Sequence, residues 1–177
     1  MKKINLISVR TKDLTKKQIL SICKLKNTFW RRTVSEQLKW LKKNVKKMDI
    51  NNMLIINGNV VGYTLLRKRN AYVKNKRLRY FYFDTFLVHR NFRKKGLGEA
   101  LMKFNNKIIK NFKKHSFLIC KKELVSFYVK FKWKILSATR FKMMDHNPQW
   151  FTIESSANGM IYNFNTKIKK KIIYYIN

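Results

Sequence analysis

Between Phe86 and Leu101 the chain reads Phe-Leu-Val-His-Arg-Asn-Phe-Arg-Lys-Lys-Gly-Leu-Gly-Glu-Ala-Leu. An aromatic and β-branched run ends at Val88, a short loop follows, and Gly96 and Gly98 open a helical pattern. Amide N–H groups at a helix N-terminus, with the helix dipole behind them, form a ready anion site. Glycines at 96 and 98 remove the β-carbons that would hold a phosphate off the backbone, and Arg93, Lys94 and Lys95 add positive charge. The chemistry this spacing allows is phosphate or pyrophosphate binding. It is not a Walker loop, which needs Gly-x-x-x-x-Gly-Lys-Ser/Thr. Nor is it the dinucleotide fingerprint, because Leu101 occupies the third glycine position. Cys23 and Cys120 sit among apolar residues, and no Cys/His cluster has metal-ligand spacing. No metal is expected.

A strand over Ile4–Arg10 is followed by Thr15-Lys-Lys-Gln18, which has capping-box form and predicts a helix. Thr33-Val-Ser-Glu36 repeats the signal, and Val34, Leu38, Leu41 and Val45 then mark one face of a second helix. The opposite face carries Lys39, Lys42, Lys43, Lys46 and Lys47, a solvated row or a binding ridge. Asn57-Gly58, between runs at Met53–Ile56 and Val60–Leu66, predicts a hairpin. A basic turn over Lys74–Arg79 precedes a strand over Tyr80–Val88. After Gly98, Leu101, Phe104, Ile108 and Phe112 recur at helical spacing. Phe117–Cys120 reads as a strand, Leu124–Phe131 as a helix, and Lys134–Ala138 and Met160–Phe164 as strands. The order implies an α/β chain of the α+β type. Its sheet is mixed and largely antiparallel, flanked by helices, in a single domain over 1–165 with a basic C-terminal tail over 166–177.

Composition bounds the function. The chain has 45% apolar residues and one proline in 177 positions, so its body is not disordered. No run approaches the roughly 20 apolar residues of a membrane span, and the N-terminal apolar run is too short for a signal peptide. A reducing, cytoplasmic location is the expectation. Forty-two Lys and Arg against eight Asp and Glu give +34, far beyond the roughly 2–8 of a small domain built for solubility. An anionic partner such as nucleic acid is one reading of that excess, and compositional bias the other. Trp30, Trp40 and Trp150 read as core residues first and as base-stacking platforms second.

Arg93-x-x-Gly96-x-Gly98 after a Leu-Val strand end resembles the acyl-CoA signature of the GNAT superfamily of N-acetyltransferases. Ser126-Phe-Tyr-Val-Lys-Phe-Lys-Trp133 resembles that superfamily's second motif, with Lys132 in the place of a glycine. The resemblance spans about residues 50–165. It implies that Phe86, Leu87 and Val88 bond the pantetheine arm of acetyl-CoA through their backbone. It also implies that Arg93, Lys94, Lys95, Gly96, Leu97 and Gly98 hold the pyrophosphate, and that Tyr128 protonates the departing thiolate. The asparagine that many members carry seven residues before this tyrosine is Lys121 here. Homodimers are common in that superfamily, but nothing in the sequence marks an interface.

An attacking amine must lose a proton. Asp84 shares a strand face with Val88 and is the first candidate base, its carboxyl raised if buried, or else a structural partner of a cation. His89, in the loop, is the second; His115, Asp145 and His146 follow. The expected function is transfer of an acetyl group from acetyl-CoA to a primary amine by direct attack in a ternary complex. The acceptor is best matched to the charge if carried on a polyanion such as tRNA or the ribosome. The alternative is a GNAT-fold nucleic-acid-binding module without the reaction.

Overall fold

Thr15 and Thr33 start the two N-terminal helices. In the computed structural model, which describes residues 4–144, 157–164 and 171–176, the Gln18 amide donates to Thr15 Oγ1 and the Thr15 amide to Gln18 Oε1. Thr33 and Glu36 exchange the same pair of bonds. These boxes satisfy amides that the first turns of α1 (Lys16–Asn27) and α2 (Val34–Asn44) leave without helical acceptors. Of the expected face of α2, Val34, Leu41 and Val45 are half-buried, and the departure is at one position. Gln37 is buried and Trp40 half-buried, whereas Leu38 is exposed. The lysine row Lys39, Lys42, Lys43, Lys46 and Lys47 is exposed throughout.

The fold is mixed α/β, with a mostly antiparallel sheet and four α-helices among the described residues, as the element order implied. Within it the chain forms two compact units: Met1–Arg67 with Asp84–Ile108, and Lys68–Phe83 with Ile109–Asn177.

In the first unit β1 (Ile4–Arg10) lies antiparallel to β2 (Ile50–Ile56), and β2 to the start of β3 (Asn59–Val73). Asn57 and Gly58 both take positive φ, 51° and 77°, the conformation a two-residue type I′ hairpin turn requires. The register slips after Leu54, which faces Gly62 while Ile55 faces Val60. Val61 is therefore the extra residue of a bulge. The unit's core joins Ile22 and Leu25 of α1 to Met53, Tyr63, Leu65 and Leu87. A second cluster joins Leu54, Ile56, Val61, Val88 and Leu101. Asn105 of α3 (Leu97–Asn111) is fully buried. Its Oδ1 accepts from Asn52 Nδ2 at 2.8 Å and Thr64 Oγ1 at 3.0 Å, while its Nδ2 and the Oδ1 of Asn52 are buried without a partner.

In the second unit β5 (Ser116–Lys121) is parallel to β4 (Lys76–Val88) and antiparallel to β8 (Ala157–Tyr162), which also pairs with β6 (Lys134–Leu136). β9 (Ile172–Tyr175) lies antiparallel to β3 and parallel to β7 (Phe141–Met144). Tyr80, Phe117, Phe141, Ile161 and Tyr174 are the core here, with Phe117 stacked on Tyr174 at 4.0 Å.

Two segments differ from the sequence reading. The basic turn expected over Lys74–Arg79 is a tight turn at residues 74–75, because β3 runs on to Val73 and β4 begins at Lys76. Arg69 can lie in that strand, 3% exposed, because its Nε donates to the Ile176 carbonyl. The segment 166–177, expected as a basic tail, contains β9, with Ile172 and Tyr174 fully buried.

Candidate functional site

The loop after β4 is held by its own basic side chains. The His89 amide donates to the carbonyl of Val61 at 2.8 Å, so the bulge in β3 anchors the end of β4. Arg93 Nε donates to the Val88 carbonyl at 3.0 Å, and its guanidinium lies 4.9 Å from the Phe29 ring centre. Lys95 Nζ donates to the Asn91 carbonyl. Two of the three cations read from sequence as a charge cluster thus also shape the loop. Val88 and Phe86 pack with Leu97 in one apolar cluster. Lys94 and Gly96 take φ of 58° and 72°, and the second explains the glycine without any ligand. A β-carbon at Gly96 would meet nothing within 4 Å, so open space lies over this backbone. The helix then starts, its first bond running from the Ala100 amide to the Gly96 carbonyl. Helix geometry leaves the amides of Leu97 and Gly98 without an intrahelical acceptor. An open, positive-φ turn ending in such amides fits a diphosphate. The parallel register of β4 with β5 has two pairs, Phe81↔Ser116 and Tyr82↔Phe117, although β4 runs on to Val88 and β5 to Lys121.

Asp84 is half-buried on β4 and is engaged twice. Its Oδ2 accepts from Arg67 Nη1 at 2.8 Å and its Oδ1 from Thr85 Oγ1 at 2.9 Å. The structural-partner alternative read from the sequence is therefore present, with Arg67 as the cation. His89 Nδ1 accepts from the Asn91 amide at 3.3 Å, so the neutral ring presents its Nε2–H, a donor.

Beside Asp84 the first unit holds a cavity of about 190 Å³, lined by Lys26, Trp30, Gln37, Trp40, Asp84 and Thr85, with Arg32 also on its wall. Lys26 is 3% exposed, and its ammonium stands 3.7 Å from the Trp40 ring centre and 5.5 Å from that of Trp30. Burial pushes it down to about 8, against the pull of Asp84. Sequence reasoning missed Lys26, Arg67 and Gln37. In a chain with 42 Lys and Arg nothing in the pattern separates the cations that turn inward.

In the second unit Tyr128 is 6% exposed on α4 (Val125–Lys130), edge-on to Phe83, Phe127 and Trp133. Burial, and secondarily Cys120, raise its phenol well above the usual range. Cys120 itself is pushed up to about 11, mainly by burial. The Trp133 amide donates to the Tyr128 carbonyl and the Lys132 amide to that of Val129, a Schellman end to the helix. Lys132 takes φ of 66°, so the lysine adopts the left-handed conformation that a glycine there would supply. His115 is packed between Tyr80 and Phe164. Asp145, His146 and Trp150 lie outside the described residues. Among the described residues no three His, Cys, Asp or Glu side chains gather as metal ligands. No described helix is long and apolar enough to cross a membrane.

No curated protein matches the chain in sequence. Among solved structures it is similar to Escherichia coli ElaA, with TM-score 0.65 and 13% identity over 90% of this chain and 99% of that one. It is similar to the E. coli GNAT family N-acetyltransferase YhbS, solved in complex with CoA, with TM-score 0.67 and 12% identity over 99% and 89%. It is also similar to the E. coli ribosomal-protein-S18-alanine N-acetyltransferase, with TM-score 0.60 and 13% identity over 90% and 91%. Identities this low establish a shared fold. The profile of the acetyltransferase (GNAT) family matches residues 19–133, well over half of the sequence, and the chain belongs to that family.

Proposed function

We propose that this chain moves an acetyl group from acetyl-CoA to a primary amine, which attacks directly while both are bound. The observation that carries the reading is the open turn at Gly96 leading into the unbonded amides of Leu97 and Gly98. Those amides and Lys94 hold the pyrophosphate, in a loop that Arg93 and Lys95 shape. Phe86, Leu87 and Val88 offer main-chain groups to the pantetheine arm, one amide polarising the carbonyl oxygen where negative charge develops. Acetyl-CoA supplies the activated thioester. Tyr128, kept protonated by burial, is the acid for the leaving sulfur. Asp84 is the proton acceptor, because it lines a cavity, while the Nδ1 of His89 is already occupied.

The acceptor is proposed to be presented on a polyanion. The net charge of +34 and the exposed lysine row of α2 support this, and one structural neighbour is by name an enzyme for an alanine of a ribosomal protein. The same charges favour the second reading, a nucleic-acid-binding module without the reaction. Calorimetry with acetyl-CoA separates the two. Saturable binding is expected in the wild type and none in Gly96→Glu, which places bulk and negative charge in the open turn. Tyr128→Phe is expected to slow transfer about 10²-fold with its fold intact, and unchanged turnover would remove its role. RNA binding with a steep salt slope, without acetyl-CoA binding, would leave only the module.

A further inference from the structure

The cavity in the first unit has a polarity that the transfer reading does not require. Lys26 is nearly fully buried, yet among the described residues its ammonium makes no hydrogen bond and no direct ion pair, Asp84 acting on it only from further off. Two indole faces offset part of its desolvation, but they leave three N–H donors unmet. Gln37, 1% exposed, likewise has no partner for its side-chain amide among the described residues. Both line the cavity, and Arg32 adds a second positive charge. The nearby acids are engaged elsewhere: Glu36 by the amide and hydroxyl of Thr33, and Asp84 by Arg67 and Thr85. Neither group is among the fully enclosed polar atoms that lack a partner, so both reach into the cavity, where a ligand can meet them.

From this we infer that the cavity is the acceptor subsite, and that it selects amines carrying a carboxylate or phosphate a few bonds from the amino group. Lys26, Gln37 and Arg32 would take the anionic group, and Trp30 and Trp40 the apolar body. Asp84, also on the wall, would take the amine with the acceptor capacity that its bonds to Arg67 and Thr85 leave over. The cavity of about 190 Å³ has room for about six waters, the size of an amino acid. This inference rests on the transferase reading and narrows its amine: whatever carries the amine, it brings an anion with it. Polyamines, which bring only positive charge, are rejected by Lys26 and Arg32.

The test is calorimetric titration of the full chain, without acyl donor, using O-phosphoethanolamine, L-phenylalanine and putrescine. The two zwitterions are expected to bind and putrescine not to; preference between the first two tells phosphate from carboxylate. Lys26→Met keeps the volume and removes the charge. It is expected to weaken zwitterion binding about tenfold or more, the worth of one charge-assisted hydrogen bond, while staying folded in a urea titration. Gln37→Leu is a second variant expected to act in the same direction. Putrescine binding as tightly as the zwitterions, no binding of any of the three, or Lys26→Met binding like the wild type would each overturn the inference. A parallel acetyl-CoA titration keeps the two claims apart. Zwitterion binding without acetyl-CoA binding leaves the subsite and removes the transferase. Acetyl transfer to putrescine alone does the reverse.

Discussion

Lys26 and Arg67 are both buried cations of the first unit, 3% and 5% exposed, and they are treated oppositely. Arg67 meets the carboxylate of Asp84 at 2.8 Å. Lys26 rests on two tryptophan rings, and burial lowers its proton affinity. A buried charge held by a carboxylate is part of how a structure holds together. A buried charge left short of partners is a cost that folding alone does not explain, and such groups gather where ligands bind. The comparison therefore sorts two residues of similar charge and burial into a structural role and a recognition role.

The largest effect should come from breaking the satisfied side. Asp84→Ala leaves Arg67 buried without its anion, and the unfolding free energy in urea at pH 7 should fall by about 3–5 kcal/mol. A fall below about 1 kcal/mol would mean that Arg67 finds water, and the contrast with Lys26 would lose its basis.

The unsatisfied side should respond with the opposite sign. Lys26 keeps its proton only up to about pH 8 in the folded chain, against the ordinary 10.5. Below pH 8 both states carry the proton, and the folded state bears the full cost of burying it. Between pH 8 and 10.5 the unfolded chain binds more protons, so stability rises with pH there, in total by about 3 kcal/mol. Lys26→Met removes the titrating group. It should therefore be the more stable protein at pH 7, with an advantage that shrinks as pH climbs through that window. Paired urea titrations at pH 7 and 10 check this, since the other lysines are common to both proteins. An advantage that stays constant across the window would mean that Lys26 is not desolvated.

Neither residue was legible in the sequence, and the reason is physical. Local signals act over a few residues, and they were readable: Thr15 with Gln18, Thr33 with Glu36, and Asn57-Gly58 all sit where their chemistry requires. The turn at Gly96 into α3 was readable for the same reason. Burial of a cation depends on partners far along the chain. Arg67 needs Asp84, and Arg69 needs the Ile176 carbonyl, which lies in a segment that sequence alone presented as a basic tail. The run Arg67-Lys-Arg-Asn70, beyond the apolar run Val60–Leu66 read from the sequence, is therefore in the fold the middle of β3. One position of α2 was misjudged for a related reason. Leu38 has the better apolar spacing, but Gln37 is the residue on the cavity wall.

Lys132 sharpens the comparison by showing a lysine that is unfavourable for another reason. Its cost lies in the backbone, at φ of 66°. A left-handed residue with a β-carbon costs roughly 1–2 kcal/mol, of which the greater chain entropy of an unfolded glycine would return about 0.5–1 kcal/mol. Lys132→Gly should accordingly raise stability by about 0.5–1 kcal/mol, read as a higher urea midpoint at constant slope. It should leave the calorimetric response to O-phosphoethanolamine unchanged. Lys26→Met should also gain stability, but at the expense of that response. The pairing matters because a gain in stability on removing a lysine does not by itself identify a site. Only the loss of ligand along with the gain assigns Lys26 to recognition, and equal ligand responses in the two variants would reduce it to a second tolerated strain.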